Sequence, residues 1–549
     1  MKTRTFPAAA VVVVVSALVG GLLGTRAAAQ GRDKFQKLDD RYRQFQVALI
    51  AIDKEYAEPV ETAQLVYGSI DGLLRTLDPH SSFLDPKEYS RQREQMRGNY
   101  PGIGISIVAI DGAITVTQLP FEGSPAYRAG IRRNDVIARV GQPGPDGKIV
   151  WEETKGWATE DIVKRVRGPK GTTVEISIKR PGVDSLIDLT VMRDDIKMAT
   201  VRTAFMLAPG TGYIRMQDFS ETTDAELGEA LTKLKAAGMQ RLVWDIRDNP
   251  GGPLDQAIAV SSRFLKSGQM VVYTRGRVKG QFDEDYRASA RSTLTDVPLI
   301  VMVNRNSASA SEIVSGAMQD HDRAIVVGET TFGKALVQGV YNISDDAGVA
   351  LTTGRYFTPS GRMIQRPWDG AFDDYLTYTY RDQKAEHPHD PSQLKYTDGG
   401  RKVYSGGGIE PDHFVPGPVE GFNPSRFGRM LRDRGAFVAF AERFTKDGDT
   451  RPAAKSGAKH KVAPGWQVSD EMVAEFREFV ISQRVRFDEA AFKADVAFMK
   501  AMIKFEVDSD LFGIEEARRN LTKVDPQVLA AVGFFGEAAD LLIKKTPGK

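Results

Sequence analysis

Two short, nearly unbroken apolar runs constrain this chain more than any other feature: Leu242-Val-Trp-Asp-Ile246 and Leu299-Ile-Val-Met-Val303. The first ends in the turn Asp248-Asn-Pro-Gly-Gly252 and leads into a helical pattern from about Leu254. The second passes through Asn304 to Ser307 into a helix over Glu312 to Gln319. A strand with one wet face alternates polar and apolar residues, and these do not, so both must be covered on two sides. Together with the helices that follow, this predicts a buried, mainly parallel sheet in an α/β region from about Ala199 to Val340. Sites in such sheets lie at the carboxyl ends of the strands, so both turns are expected to face one crevice.

The regions on either side read differently. From about Gly98 to Asp194 the chain shows short β-type runs (Ile103 to Ile110, Ile114 to Gln118, Val136 to Val140, Val174 to Lys179, Leu186 to Val191) between Gly, Pro and Asp turns, with one amphipathic helix near Thr159 to Val166. Near the start, Phe35, Leu38, Tyr42, Phe45, Leu49, Ile52 and Tyr56 form one apolar stripe on a helix. An intramolecular docking face and a self-association seam both fit it, so a homo-oligomer stays open. Past Pro411 there is helical periodicity (Phe427, Met430, Leu431, then Met472, Phe476, Phe479), a polar linker from Lys446 to Pro464, and no reactive pattern. The C-terminal 130 or so residues read as a helical accessory region, 420–549. A chain of 549 residues is expected to form about three to four domains.

The first thirty residues carry Lys2 and Arg4, an apolar run from Phe6 to Leu23, and Ala27-Ala28-Ala29 before Gln30, the pattern of a secretory signal. Residues 6–23 are also long enough for an uncleaved anchor in the cytoplasmic membrane. Both readings place the remainder in an extracytoplasmic compartment, periplasmic or secreted. No other segment offers eighteen uninterrupted apolar residues. The 74 Lys and Arg against 72 Asp and Glu leave no electrostatic footprint for nucleic acid. Without cysteine there is no disulfide, thiol nucleophile or Cys-based metal site. The six histidines (80, 321, 387, 389, 413, 460) show no ligand spacing, and neither metal nor cofactor is expected.

Chemistry concentrates in Asn304-Arg-Asn-Ser-Ala-Ser-Ala-Ser-Glu312, with Thr331-Phe-Gly-Lys334 and Gln338 beyond. Ser309 sits where a loop enters a helix, so the Ala310 amide has no intrahelical acceptor and lies at the positive end of the dipole, where an oxyanion is stabilised. Gly252 would offer a second backbone donor, with Gly251 the near alternative. A serine hydroxyl needs a base, and Lys334 can act as one only if desolvation keeps its amine neutral. Gln338 would orient that amine. A purely structural reading competes: Ser309-Ala-Ser-Glu312 is a helix capping box, and Lys334 taken alone is an ordinary loop lysine.

These motifs resemble those of the carboxyl-terminal processing (tail-specific) serine peptidases. The resemblance covers Leu77-Asp-Pro-His-Ser-Ser82, Asp245-Ile-Arg-Asp-Asn-Pro-Gly-Gly252, Ser307-Ala-Ser-Ala-Ser-Glu-Ile313, Thr331-Phe-Gly-Lys334 with Gln338, and Gly406-Gly-Gly-Ile-Glu-Pro411. It implies Ser309 as nucleophile, Lys334 as base, Gln338 as orienting residue, and Gly252 with Ala310 as oxyanion hole. Tyr100-Pro-Gly-Ile-Gly-Ile105, Gly123-Ser-Pro-Ala126, Ala129-Gly130-Ile131 and Asn134-Asp135-Val-Ile137 likewise resemble a protease-associated PDZ domain. That resemblance implies capture of a peptide's terminal carboxylate by Gly102, Ile103, Gly104 and Ile105. The implied fold is multidomain α/β: a crotonase/ClpP-like protease core (199–415), an inserted β-rich PDZ domain (99–195), and helical N-terminal (31–98) and C-terminal regions. The implied partners are polypeptides with accessible C-terminal tails. His80 stands where the family more usually has tyrosine, Gly144 to Thr154 is extra, and the chain beyond Gly417 is longer than in short members. A scaffold without activity, or a latent enzyme that needs an activator or adaptor protein, is the rival. A triad of Ser with His80 and Asp78 or Asp85 is disfavoured. So are the SxxK matches at Ser392 to Lys395 and Ser456 to Lys459, which lack a following KTG.

Overall fold

The computed structural model describes residues 38–543 apart from 119, 121–122, 145–146, 181–182, 281, 291–293, 345, 369–374, 376, 385–388, 448–461 and 484. The signal segment, Phe35, His387, His460, the second SxxK match and most of the expected linker lie outside the described residues. Contacts divide the chain into two units, one of residues up to Asp85 with Val340–Leu351, the other of Pro86–Gly339 with Thr352–Lys549.

In the first unit, a helix over 38–55 carries the expected stripe from Leu38 to Ile52, with Tyr56 just beyond its end; Leu49 is half-buried, and the others are exposed, from 41% at Phe45 to 65% at Leu38. A second helix, Thr62–Arg75, precedes the strand Ser82–Leu84, which pairs antiparallel with 348–350. Leu74, Phe83 and Ala347 form the small core of this unit, with Tyr67 and Ile70 against it. The Asp78 carboxylate accepts the backbone N–H groups of His80 and Ser81, each at 2.8 Å, so this aspartate shapes a turn.

The second unit is built on a six-stranded sheet of β1 (Val201–Ala208), β2 (Thr211–Met216), β3 (Arg241–Asp245), β4 (Leu299–Val303), β5 (Ile325–Gly328) and β6 (His413–Phe414), in that spatial order. Only β1 and β2 run antiparallel; every other pair is parallel. Period-two alternation splits the residues of β3 and β4 between two faces. Leu242, Trp244, Leu299, Val301 and Val303 pack on residues of α1 (Thr223–Ala236), α2 (Leu254–Ser261) and α3 (Ala310–Asp320). Val243, Ile300 and Met302 face the opposite way.

That opposite face is covered by the end of the chain. Beyond β6 come α4 (Arg426–Asp433), α5 (Ala436–Asp447), α6 (Asp470–Ser482), α7 (Glu489–Ala494), α8 (Val496–Phe512), α9 (Ile514–Thr522), α10 (Pro526–Val532) and α11 (Phe535–Ile543). The earlier of these enclose a phenylalanine-rich core that includes Phe437, Phe440, Phe476 and Phe498. Val528, Ala531, Phe535 and Ala538 of α10 and α11 seal the second face of the sheet. Pro526–Ile543, with mean hydropathy 1.3, is long and apolar enough by composition to cross a membrane. Here it is interrupted by turns at 533–534, and Val528, Ala531, Phe535 and Ala538 pack on the sheet while Leu529 and Ile543 stay exposed. A parallel sheet left open on one side would expose a continuous apolar surface, so the expected accessory region includes half of the core's cover.

The β-rich module lies in the same unit. Asn99–Gly102 pairs antiparallel with Asp194–Lys197 where the chain enters and leaves it. Its sheet runs Ile107–Ile110, Ala113–Val116, Val136–Pro143, Thr173–Lys179, Ile187–Met192. The extra stretch after Gly144 forms a strand, Ile149–Glu153, against Val136–Pro143. The strand expected over Ile103 to Ile110 is shorter, because Gly104 takes φ +80° and its neighbours leave the ladder. Ile103 is buried nonetheless, and its carbonyl accepts the Ala126 N–H at 2.9 Å.

Candidate active site

The turns after β3 and β4 meet, as their placement at strand ends predicts. The Asn304 side chain accepts the Asp248 N–H at 2.9 Å and donates to the Asp248 carboxylate at 2.8 Å. Asn306 adds a third bond to Asp248 at 2.9 Å. One residue on, the Asn249 carbonyl accepts the Ala308 N–H at 3.0 Å and the Ser311 hydroxyl at 2.9 Å. Gly251 takes φ +94°, and a Cβ there would stand 2.6 Å from the Ala308 carbonyl oxygen and 2.9 Å from Ser309 Cβ. Only glycine lets this turn lie flat on the serine loop. The Gly251 N–H donates to Asn249 Oδ1 at 2.9 Å, whereas Gly252 is exposed.

Ser309 has φ +53° and ψ −113°, a backbone conformation that a non-glycine residue adopts only when its surroundings impose it. One half of the anticipated capping box supplies that constraint: the Glu312 carboxylate accepts the Ser309 N–H at 2.8 Å. The Glu312 N–H is taken by the Ser309 carbonyl at 2.9 Å, so the serine side chain makes no cap bond. At this helix start the Glu312 carboxylate and the Ser309 carbonyl take up the N–H groups of Ser309 and Glu312.

Glu312 is completely buried and does more than cap. Its Oε1 accepts the Thr331 hydroxyl and the Gly333 N–H, both at 2.6 Å, and its Oε2 accepts the Lys334 N–H at 2.9 Å beside that of Ser309. One carboxylate therefore fixes the backbones of Ser309 and Lys334 to each other. Burial pushes this carboxyl up to about 7, against the pull of the four donors. The buried Tyr356 hydroxyl makes a second link, donating to the Lys334 carbonyl and lying 3.3 Å from that of Ser309. Lys334 Nζ donates to Gln338 Oε1 at 2.8 Å.

The lysine loop is clamped from behind. Arg366 donates to the Phe332 carbonyl at 2.9 Å and the Thr331 carbonyl at 3.2 Å, and its guanidinium lies 3.4 Å from the centre of the Tyr378 ring. Ile409 of the triple-glycine motif donates its N–H to Thr331 Oγ1 at 2.6 Å. A Cβ on Gly408 would come within 2.4 Å of the Thr331 carbonyl oxygen, which explains glycine there.

The family described as peptidase family S41 matches residues 210–375. The carboxy-terminal-processing protease of Bartonella bacilliformis is 36% identical over 315 residues, covering 57% of this chain and 69% of that protein. The carboxy-terminal processing protease of Bacillus subtilis is 34% identical over 361 residues, covering 64% and 73%. The chain belongs to the carboxyl-terminal processing peptidases of family S41. It is accordingly a serine-type peptidase. Similar solved structures include the photosystem II D1 C-terminal processing protease, 31% identical over 58% of this chain and 84% of that one, with a TM-score of 0.32. Another is the peptide-bound PDZ domain of a Vibrio cholerae carboxy-terminal protease, 29% identical over 18% of this chain and 98% of that one, with a TM-score of 0.16.

In this S41 peptidase the structure joins Ser309 and Ala310 to the Gly251–Gly252 turn, and joins the Lys334 backbone to Ser309 through Glu312. Gly102, Ile103, Gly104 and Ile105 lie apart, in the β-rich module. Sequence reasoning missed Tyr356, Arg366 and the Asn304 clasp, and saw Glu312 only as a cap. Asn304 carried a signal, an amide directly after a buried strand; Tyr356 carried none.

Proposed function

We propose that this S41 peptidase is exported, that its β-rich module is a PDZ domain which captures the C-terminal tail of a polypeptide, and that Ser309 and Lys334 cut the captured chain. The observation that carries the proposal is the Glu312 carboxylate, whose one oxygen receives both the Ser309 and the Lys334 N–H. A solvated loop lysine has no use for such a staple; a nucleophile and its base require one.

In the proposed reaction, neutral Lys334 takes the Ser309 hydroxyl proton as Oγ bonds to the scissile carbonyl carbon. The carbonyl π pair moves onto oxygen, which accepts the Ala310 N–H at the start of α3 and the Gly252 N–H in the turn after β3. Gly252 is assigned over Gly251 because the Gly251 N–H is engaged with Asn249. The ammonium then protonates the departing amine as the C–N bond breaks, leaving an ester on Ser309. Water, deprotonated by the same lysine, hydrolyses that ester. Gln338 accepts one Nζ hydrogen and so turns the amine lone pair toward the serine. Upstream, Ile107–Ile110 is an edge strand of its sheet, so a tail can add beside it with its carboxylate at the Gly102–Ile105 loop.

The test is cleavage of one disordered protein with a free and with an amidated C-terminus, with and without a fluorophosphonate. Faster cutting of the free form, and loss of activity as one probe attaches at Ser309, are expected. Equal rates would remove the tail-capture step. An inert but probe-reactive enzyme would favour a missing activator, and an unreactive one a scaffold. Recovery in the cytoplasmic fraction alone would contradict export.

A further inference from the structure

The C-terminal helices bear no reactive motif, yet they reach the residue immediately before the turn beside Ser309. Arg247 is 2% exposed. Its Nε and Nη2 donate to the two Asp245 oxygens at 2.9 and 2.6 Å. Its remaining donors cross to the end of the chain, Nη1 to Gln527 Oε1 and Nη2 to Asp525 Oδ2, each at 2.7 Å. Asp525 also caps α10, accepting the N–H groups of Gln527 at 2.8 Å and Val528 at 3.1 Å. Gln527 Nε2 donates to the Val415 carbonyl at 2.5 Å. The chain after β6 closes over this pair only because it has glycines. A Cβ on Gly417 would lie 2.3 Å from Gln527 Cδ, and one on Gly421 1.9 Å from Asp525 Oδ1.

A guanidinium is planar with donors in fixed directions, so two carboxylates and an amide oxygen hold it in one orientation. Asp245 alone would fix one edge and leave the other to swing. The main chain of Arg247 continues into Asp248 and Asn249, which clasp the serine loop, and then into Gly252. At the far end of the bridge, α10 packs on the sheet through Val528 and Ala531.

We propose that Asp525 and Gln527 are positioning residues for the oxyanion turn, acting through Arg247, so that the C-terminal helices belong to the catalytic apparatus. The proposal rests on the Ser309 reading above. It is tested in the full chain with Gln527→Met, which keeps the volume, and Asp525→Asn, which keeps the helix cap. Three quantities are compared with wild type and Ser309→Ala: kcat and KM, the affinity of a substrate-like peptide aldehyde, and the affinity of the matching alcohol. The aldehyde forms an oxyanion on the serine and the alcohol does not. Both variants are expected to stay folded by circular dichroism, to lose kcat about tenfold to a hundredfold with KM little changed, and to lose aldehyde affinity in parallel while the alcohol binds as before. Unchanged kcat overturns the proposal, as does a fall in kcat with a constant aldehyde-to-alcohol ratio. Failure of both variants to fold also overturns it, since the residues would then be structural. An active Ser309→Ala would instead sink the nucleophile assignment.

Discussion

Ser309→Ala and Lys334→Ala are each expected to lower kcat on a disordered protein by at least about 10⁴-fold, the scale on which members of a nucleophile–base pair fail when removed singly. Neither change should unfold the protein. The Ser309 N–H and carbonyl, which hold its φ of +53°, are main-chain groups that alanine keeps. The Lys334 N–H to Glu312 survives in the same way. Lys334→Arg sharpens the test, because arginine keeps the positive charge and the reach but does not give up its proton at accessible pH. If charge alone mattered, arginine would retain activity; if the amine is a base, it falls to the alanine level. Initial rates with matched melting curves decide, and a Lys334→Ala rate within about tenfold of wild type would require another base.

Glu312→Gln is expected to cost about 10²-fold in kcat, although it changes a single atom of a completely buried side chain. Both Glu312 oxygens accept two donors each. Whichever way an amide turns, its NH₂ faces either Thr331 and Gly333 or Ser309 and Lys334, leaving donors unsatisfied at about 1–3 kcal/mol each. The pH dependence gives an independent check. Burial raises this carboxyl from 4.5 to about 7. The folded state therefore binds the proton more tightly than the unfolded one. The stability this group contributes is full below about 4.5 and is lost as pH rises through about 7. Activity should run the other way, because only the ionised carboxylate accepts all four donors. From about pH 5 to 8, wild type is expected to gain kcat/KM while its Tm declines, and Glu312→Gln to flatten the Glu312 share of both trends. Identical Tm profiles for the two proteins would contradict this account.

Elements with local signals were legible in the chain alone. Unbroken apolar runs located β3 and β4, because strands buried on both faces cannot alternate. The Ser-x-x-Glu pattern marked the start of α3, because helix entry leaves N–H groups that such residues satisfy. Strand-end placement alone implied that the Gly252 turn meets the serine loop. Where a single glycine outweighed the apolar pattern, as at Gly104, the reading overran the strand. How these parts are held in register became visible only in the folded molecule. The Glu312 link from Ser309 to Lys334, the Tyr356 hydroxyl between their carbonyls, the use of α10 and α11 as half of the core's cover, and the bridge from Arg247 to Asp525 and Gln527 all join residues far apart in the chain. No period or spacing encodes such contacts: a buried polar side chain finds its partner only after the apolar faces have packed and excluded the water that would otherwise satisfy it.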